Sequence, residues 1–166
     1  MSRTIVMLAA AVGIASLAAL SPAPAGETGP ETIAKVLDDF HDAASKADGA
    51  RYFGHFAPNG VFIGTDVHER WTLEQFQGYA KPYFDKGQGW TYVPRQKDRH
   101  IDVSADGSVA WFDEMLDNAK YGLTRGSGVL IRDKDTWRIA QYNLSVPIPN
   151  DLLPAVVEMI RKQPAK

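Results

Sequence analysis

The chain has 166 residues, no cysteine, 18 Lys plus Arg against 20 Asp plus Glu, and a formal net charge of −2. The missing cysteines exclude disulfides, thiolate nucleophiles and cysteine-based metal sites. Balanced, interspersed charges give no electrostatic case for nucleic acid or for an anionic membrane surface.

Residues 1–25 are laid out as a secretory signal peptide, with Arg3, an apolar run over 5–20, and Ala23-Pro24-Ala25 as a small-x-small cleavage site. The run is shorter than the roughly 20 apolar residues of a membrane span. Cleavage near Ala25 and secretion, to the periplasm of a bacterial-type cell, are therefore expected. Residues 26–30 read as a flexible lead-in, and 31–166 as a single domain that includes a C-terminal helix.

Pro30 stands where a helix would begin, and Ile33, Val36, Leu37, Phe40, Ala44 and Ala47 follow helical spacing until Asp48-Gly49. ARYFGHF offers a second short helix, APNG a turn, GVFIG a short strand and TDVHERW a loop. Thr72 and Gln75 form a capping box for a third helix with the stripe Leu73, Phe76, Ala80 and Phe84. Pro82 is expected to kink that helix or end its regular part. Strands are predicted over 90–94, 97–103, 108–117, 124–132 and 136–146, with turns at SADG and DKD, and DLLPAVVEMIRK as the terminal helix. Helices followed by an antiparallel meander argue for an α+β fold, with the helices on one face of a curved sheet.

Period-2 alternation assigns the faces. The turn at SADG would set Ile101 opposite Ala110, and the turn at DKD would set Ile131 near Trp137 and Val129 near Ile139. Symmetric closure through DNAKYGL would set Leu116 near Arg125 and Glu114 near Ser127. One face then collects Phe112, Val129, Ile131, Trp137 and Ile139, and continues into Glu114, Arg125, Ser127, Gln141 and Asn143. Apolar at one end and polar at the other, it has the profile of a tapered interior closing on core and opening as a lined pocket. The opposite face would carry His100, Trp111, Asp113, Gly126, Gly128, Leu130, Ala140 and Tyr142. Trp111, Leu130, Ala140 and Tyr142 there suggest a homodimer through the sheet face. Gly126 and Gly128 mark either a bulge or the close packing of a neighbouring aromatic.

The arrangement, with GVFIGTDVHERWT, AWFDEMLDNAKYG, TRGSGVLIRD and TWRIAQYNLSVPIPND, resembles the nuclear transport factor 2-like superfamily, and within it exported SnoaL-like proteins. The resemblance implies a cone-shaped curved antiparallel sheet wrapped by N-terminal helices around an internal pocket. It spans enzymes such as ketosteroid isomerase and scytalone dehydratase as well as non-catalytic binders, so activity must be argued from the site. By the same resemblance, the isomerase base falls at Thr65 and Asp66, and its mid-sheet acid near Asp113 and Glu114. The isomerase's first-helix tyrosine has no counterpart, since Phe40 lies in that region. His41, His55, His68 and His100 do not form the dehydratase's histidine pair.

Among candidate site residues, Glu114 would act as general acid or base, or would pair with Arg125 or Arg70 and shape the pocket. Asp66 is either a base at a strand end or an acid that satisfies loop N–H groups. Glu69 and Arg70 would form the pocket rim. Trp71, Tyr79, Phe112, Arg125, Ser127, Gln141 and Asn143 would contact a ligand. No histidines have ligand spacing, and no serine-nucleophile motif, phosphate-cradling loop or dinucleotide fingerprint occurs, so no metal or cofactor is expected. The expected function is binding of a small hydrophobic or polar-tagged molecule. The alternatives are a cofactor-free isomerase, dehydratase, cyclase or hydrolase using Glu114 or Asp66, and a protein-interaction module using the outer sheet face.

Overall fold

The structure is a computed structural model and describes residues 29–164; the expected leader over 1–25 lies outside them. In chain order the elements are α1 (Pro30–Ser45), α2 (Gly49–Gly54), β1 (Phe56–Ile63), β2 (Arg70–Thr72), α3 (Leu73–Phe84), β3 (Val93–Val103), β4 (Val109–Asn118), β5 (Gly122–Asp133), β6 (Thr136–Ser145) and α4 (Leu153–Arg161).

Pro30 occupies the first turn of α1, where its missing N–H costs no hydrogen bond. The helix buries Ile33, Leu37, Phe40, His41, Ala43 and Ala44. The Asp48 carboxylate accepts from the Arg51 N–H and starts α2. Thr72 and Gln75 form the expected capping box of α3. That helix runs two residues past Pro82 rather than stopping there, and all of Phe76, Ala80 and Phe84 remain buried along its inner stripe.

The six strands form one curved, unclosed sheet in the order β2-β1-β6-β5-β4-β3. All neighbours are antiparallel except β1 and β6, which run parallel because the helices separate β1 from the meander. Helices α1 to α3 cover the concave face, making the α+β architecture expected from the sequence. Segments 90–94 and 97–103, expected as two strands, belong largely to the single strand β3, whose pairing with β4 shifts between Pro94 and Arg99. The expected loop TDVHERW ends in β2, which pairs with the last residues of β1. Helix α4 buries none of its residues and leaves Leu153, Met159 and Ile160 exposed.

Side-chain orientation differs from the sequence expectation in β5 and half of β6. Glu114 pairs with Gly126, not with Ser127, so the central hairpin is offset by one residue. A one-residue offset turns every side chain of a strand to the other face. Thr124, Gly126, Gly128 and Leu130 therefore point inward, and Arg125, Ser127, Val129 and Ile131 point outward. The last hairpin is offset by one as well, pairing Leu130 with Ile139, and this restores Trp137 and Ile139 to the interior. Ala140 is then an extra residue opposite the Val129–Leu130 step, a bulge that turns Tyr142 and Leu144 inward and Gln141 and Asn143 outward. The expected ligand contacts Arg125, Ser127, Gln141 and Asn143 are thus on the convex face. Leu130 and Tyr142, expected on an outer dimer face, are buried.

The core beneath α1 to α3 is dense in rings. Phe40 stacks on Tyr52 at 4.5 Å between centroids and Phe62 stacks on Phe76 at 3.9 Å. Offset stacking and edge contacts of this kind add roughly 0.5–1.5 kcal/mol each beyond the area they bury.

Candidate functional site

The concave face leaves a cavity of about 310 Å³ between the helices and the sheet. Its deep end is walled by Phe40, His41, Tyr52, Phe62, Phe76 and Tyr142. Toward the exposed end stand Trp71, Trp90, Tyr79, Tyr92 and Tyr121. Polar groups join them there: Thr65, Glu69, Asn118 and Lys120. A largely aromatic cavity with few polar groups suits a small, flat, mostly apolar molecule carrying one or two polar substituents.

Behind the deep wall lies an ionic cluster drawn from one helix and two strands. Helix α1 places His41 on its buried stripe, four residues after Leu37. Strand β4 points Glu114 inward beside Phe112, with no solvent exposure. Strand β3 supplies Arg99, paired across the ladder with Glu114 and with its side chain 3 % exposed. His41 Nε2 lies 2.6 Å from Glu114 Oε1, while Arg99 Nε donates to Oε2 at 2.8 Å. Arg99 Nη2 is also 2.7 Å from Oε2, but its N–H directions satisfy no hydrogen bond, so Nε makes the directed contact and Nη2 adds charge. Arg99 Nη1 continues to Asp38 Oδ1 at 2.8 Å and to the Ala34 carbonyl at 3.2 Å. Both Glu114 oxygens are thereby occupied, as a carboxylate removed from water requires.

Facing a guanidinium, the Glu114 carboxylate accepts on both sides, so the His41 contact is an N–H donated from Nε2. In the neutral ring, Nδ1 is then the acceptor nitrogen of a side chain that lines the cavity. Glu114 itself does not reach the cavity wall; His41 stands between them.

Tyr142 enters the same floor from β6. Burial pushes its phenol well above the ordinary tyrosine value, and the neighbouring Glu114 charge adds to the effect. Tyr52 is raised by burial too, although the Trp90 side chain acts as its hydrogen-bond partner. Nearer the entrance, desolvation pushes Tyr92 up to about 12.

The other expected site residues divide into three groups. Trp71, Tyr79 and Glu69 line the cavity. Trp71 stacks on Phe62 and Phe76, and Glu69 Oε2 also accepts from the Asp66 N–H at 3.1 Å. Phe112 is buried against Tyr142 without lining the cavity. Arg70 is exposed on β2 outside the lining, and Asp66 is exposed in the loop before it, its Oδ1 accepting from the His68 N–H at 2.9 Å. The expected partners of Glu114, Arg125 and Arg70, are replaced by Arg99 and His41. Arg99 shares the inward parity of Ile101 and Val103, and His41 extends the i, i+4 stripe from Leu37; those were the available sequence signals. Among the described residues no group of three His, Asp or Glu is placed to hold a metal ion.

Residues 33–149 match the SnoaL-like domain family. The chain belongs to that family. No curated protein sequence matches it. Solved structures similar to this SnoaL-like domain share its fold at low identity. A nuclear transport factor 2-like protein of unknown function from Pseudomonas putida KT2440 has 9 % identity and a TM-score of 0.58, over 73 % of this chain and 88 % of that one. A candidate dehydratase of the same superfamily from Streptomyces avermitilis has 12 % identity and a TM-score of 0.59, over 72 % and 96 %. A candidate ketosteroid isomerase from Parabacteroides distasonis ATCC 8503 has 17 % identity and a TM-score of 0.54, over 72 % and 89 %. At these identities the likeness establishes the fold alone.

Proposed function

We propose that this SnoaL-like domain is an exported small-molecule-binding protein whose cavity performs cofactor-free proton transfer at His41. The observation that carries the reading is the short contact between His41 Nε2 and the fully buried, arginine-paired Glu114. Glu114 fixes the ring orientation and tautomer, and the favoured protonation partner is then a ligand held against the cavity side of the imidazole. Glu114 is a positioning residue in this account rather than the base itself, and Asp66 is a loop acid. Isomerisation or dehydration of a cyclic carbonyl compound needs no further reactant and is the reaction class this arrangement favours. Export rests on residues 1–25 of the sequence.

The probe 1-indanone, a flat ketone with exchangeable protons beside its carbonyl, tests the reading. Trp71 and Trp90 line the cavity, so millimolar 1-indanone is expected to quench tryptophan fluorescence saturably. In D2O the protein is expected to accelerate exchange of the ketone's α-protons, with at least a tenfold loss in His41→Gln. Saturable binding without exchange would leave a binder and remove the proton-transfer claim, while no binding would remove both.

A second copy is proposed to cover the convex sheet face. Trp111 is 48 % exposed there and pairs across the ladder with Val129. Trp111→Lys is expected to shift a dimer to monomer in sedimentation; a monomeric wild type would end this claim.

A further inference from the structure

Of the polar groups at the cavity floor, one has no stated employment. Tyr142 is 3 % exposed, its ring is wedged among Phe40, Phe62 and Phe112, and it lines the cavity. No hydrogen bond among the described residues satisfies its hydroxyl, unlike that of Tyr52. Among the described residues Arg99 Nη2 is the side-chain polar atom sealed off without a partner, so the Tyr142 hydroxyl is not sealed; it is reached from the cavity its ring lines and can pair there with a ligand or water.

The position of that hydroxyl is built into the strand beneath it. Tyr142 pairs with Gly128, and its ring leans along β5 so that the hydroxyl lies directly over Gly126. A Cβ at Gly126 would collide with the Tyr142 oxygen, and a Cβ at Gly128 would collide with the Gln141 carbonyl and crowd Phe112. The glycine pair in RGSG thus clears a track for the tyrosine. Gly126 is in turn the partner of Glu114, which brings the hydroxyl to the strand position that anchors His41. Because burial and the Glu114 charge hold the phenol protonated, the hydroxyl stays a donor throughout the ordinary pH range.

We infer that the Tyr142 hydroxyl is the donor that reads an oxygen of the bound molecule, with Gly126 keeping it in place, and that the ligand class is a flat ring compound bearing a carbonyl or similar acceptor oxygen. This rests on the cavity being the binding site, as proposed above, but not on His41 performing proton transfer. A ring molecule pressed against the floor meets Tyr142 and His41 together, so its oxygen and an acidic hydrogen beside it would be addressed at once.

Carbonyl-labelled 1-indanone and its oxygen-free analogue indane are the probes. In the wild-type protein the bound ketone's carbonyl stretch is expected to move to lower frequency than in an apolar solvent, the signature of a donated hydrogen bond. Tyr142→Phe removes the donor and preserves the ring; it should abolish that shift, weaken 1-indanone roughly fivefold and leave indane unchanged. Gly126→Ala keeps the donor but displaces it, and should also reduce the shift. An unchanged carbonyl frequency in Tyr142→Phe, with binding retained, overturns the inference while leaving the cavity reading intact. Equal weakening of indane and 1-indanone assigns Tyr142 to packing and likewise overturns it. Failure of the wild type to bind 1-indanone at all removes the cavity reading, and this inference with it.

Discussion

Helix α1 carries two clusters of the same composition, a histidine, a carboxylate and an arginine, on opposite sides. Asp39, on the solvent side, receives Arg51 Nε at 3.0 Å and lies 2.7 Å from His55 Nε2, with Arg51 reaching on to Asp42. Two residues later, and so about 200° around the helix, His41 faces inward to Glu114 and Arg99. The side chain of Asp39 is 43 % exposed, that of Glu114 not at all. Water screens the outer cluster, which ties α1 to α2. The inner one has no such screening, and its histidine alone opens on a cavity. Identical functional groups therefore serve as a brace in one place and as a candidate chemical site in the other; solvation and access make the difference.

The largest expected effect separating the two clusters is on stability. Glu114→Ala leaves His41 without its acceptor and Arg99 with only its outer partners Asp38 and the Ala34 carbonyl, and should cost about 3–5 kcal/mol in denaturant unfolding. Replacing Glu114 and Arg99 together by apolar residues should recover much of that loss, a strongly non-additive cycle. The corresponding Asp39→Asn change should cost about 1 kcal/mol or less, as solvent-exposed pairs do. Equal costs for the two clusters would dissolve the contrast.

The pH dependence of stability should divide along the same line. His55 is lowered chiefly by burial, and Asp39 is lowered chiefly by its bonds from Arg51. In both cases the unfolded chain binds the proton more readily, so stability should fall as pH drops below about 6.5 and fall again through the carboxylate range. At the alkaline end, Tyr52 and Tyr142 are raised, so above about pH 10 the unfolded chain releases protons that the fold retains. Each buried tyrosine should then steepen the loss by about 1.4 kcal/mol per pH unit. Tyr142→Phe should flatten only the alkaline limb, and Asp39→Asn only the acid limb; pH-resolved thermal unfolding would show either.

The smallest effect provides the baseline. Arg125 and Asn143 resemble pocket residues in composition but lie on the convex face, so Arg125→Ala and Asn143→Ala should leave 1-indanone binding unchanged and stability within about 0.5 kcal/mol. A tenfold loss of binding in either would contradict the register of β5 and β6.

Much of the fold was legible because its signals are local. The capping box at Thr72, the stripe of α1 and the alternation within β4 each need only a few adjacent residues, and they place Glu114 inward correctly. What was not legible depends on pairing. The turn through DNAKYGL gives no short-range cue to its register, and one residue there sent Arg125 and Ser127 outward. The Ala140 bulge is equally silent, since Gln141 and Asn143 alternate as properly as Tyr142 and Leu144. Gly126 and Gly128 held the missing information, because adjacent rings need that space. Arg99 and His41 escaped notice because each sits far from Glu114 in sequence and only β3 and α1 bring them together.

The central claim is that Glu114 holds His41 by Nε2 and leaves Nδ1 to the cavity. Nitrogen-15 NMR of the imidazole reads this directly, without any ligand. The account predicts that neutral His41 carries its proton on Nε2, with a strongly deshielded Nε2–H protected from solvent exchange, while the part-exposed His55 exchanges faster. A His41 ring protonated on Nδ1, or one averaging freely between tautomers, would contradict it.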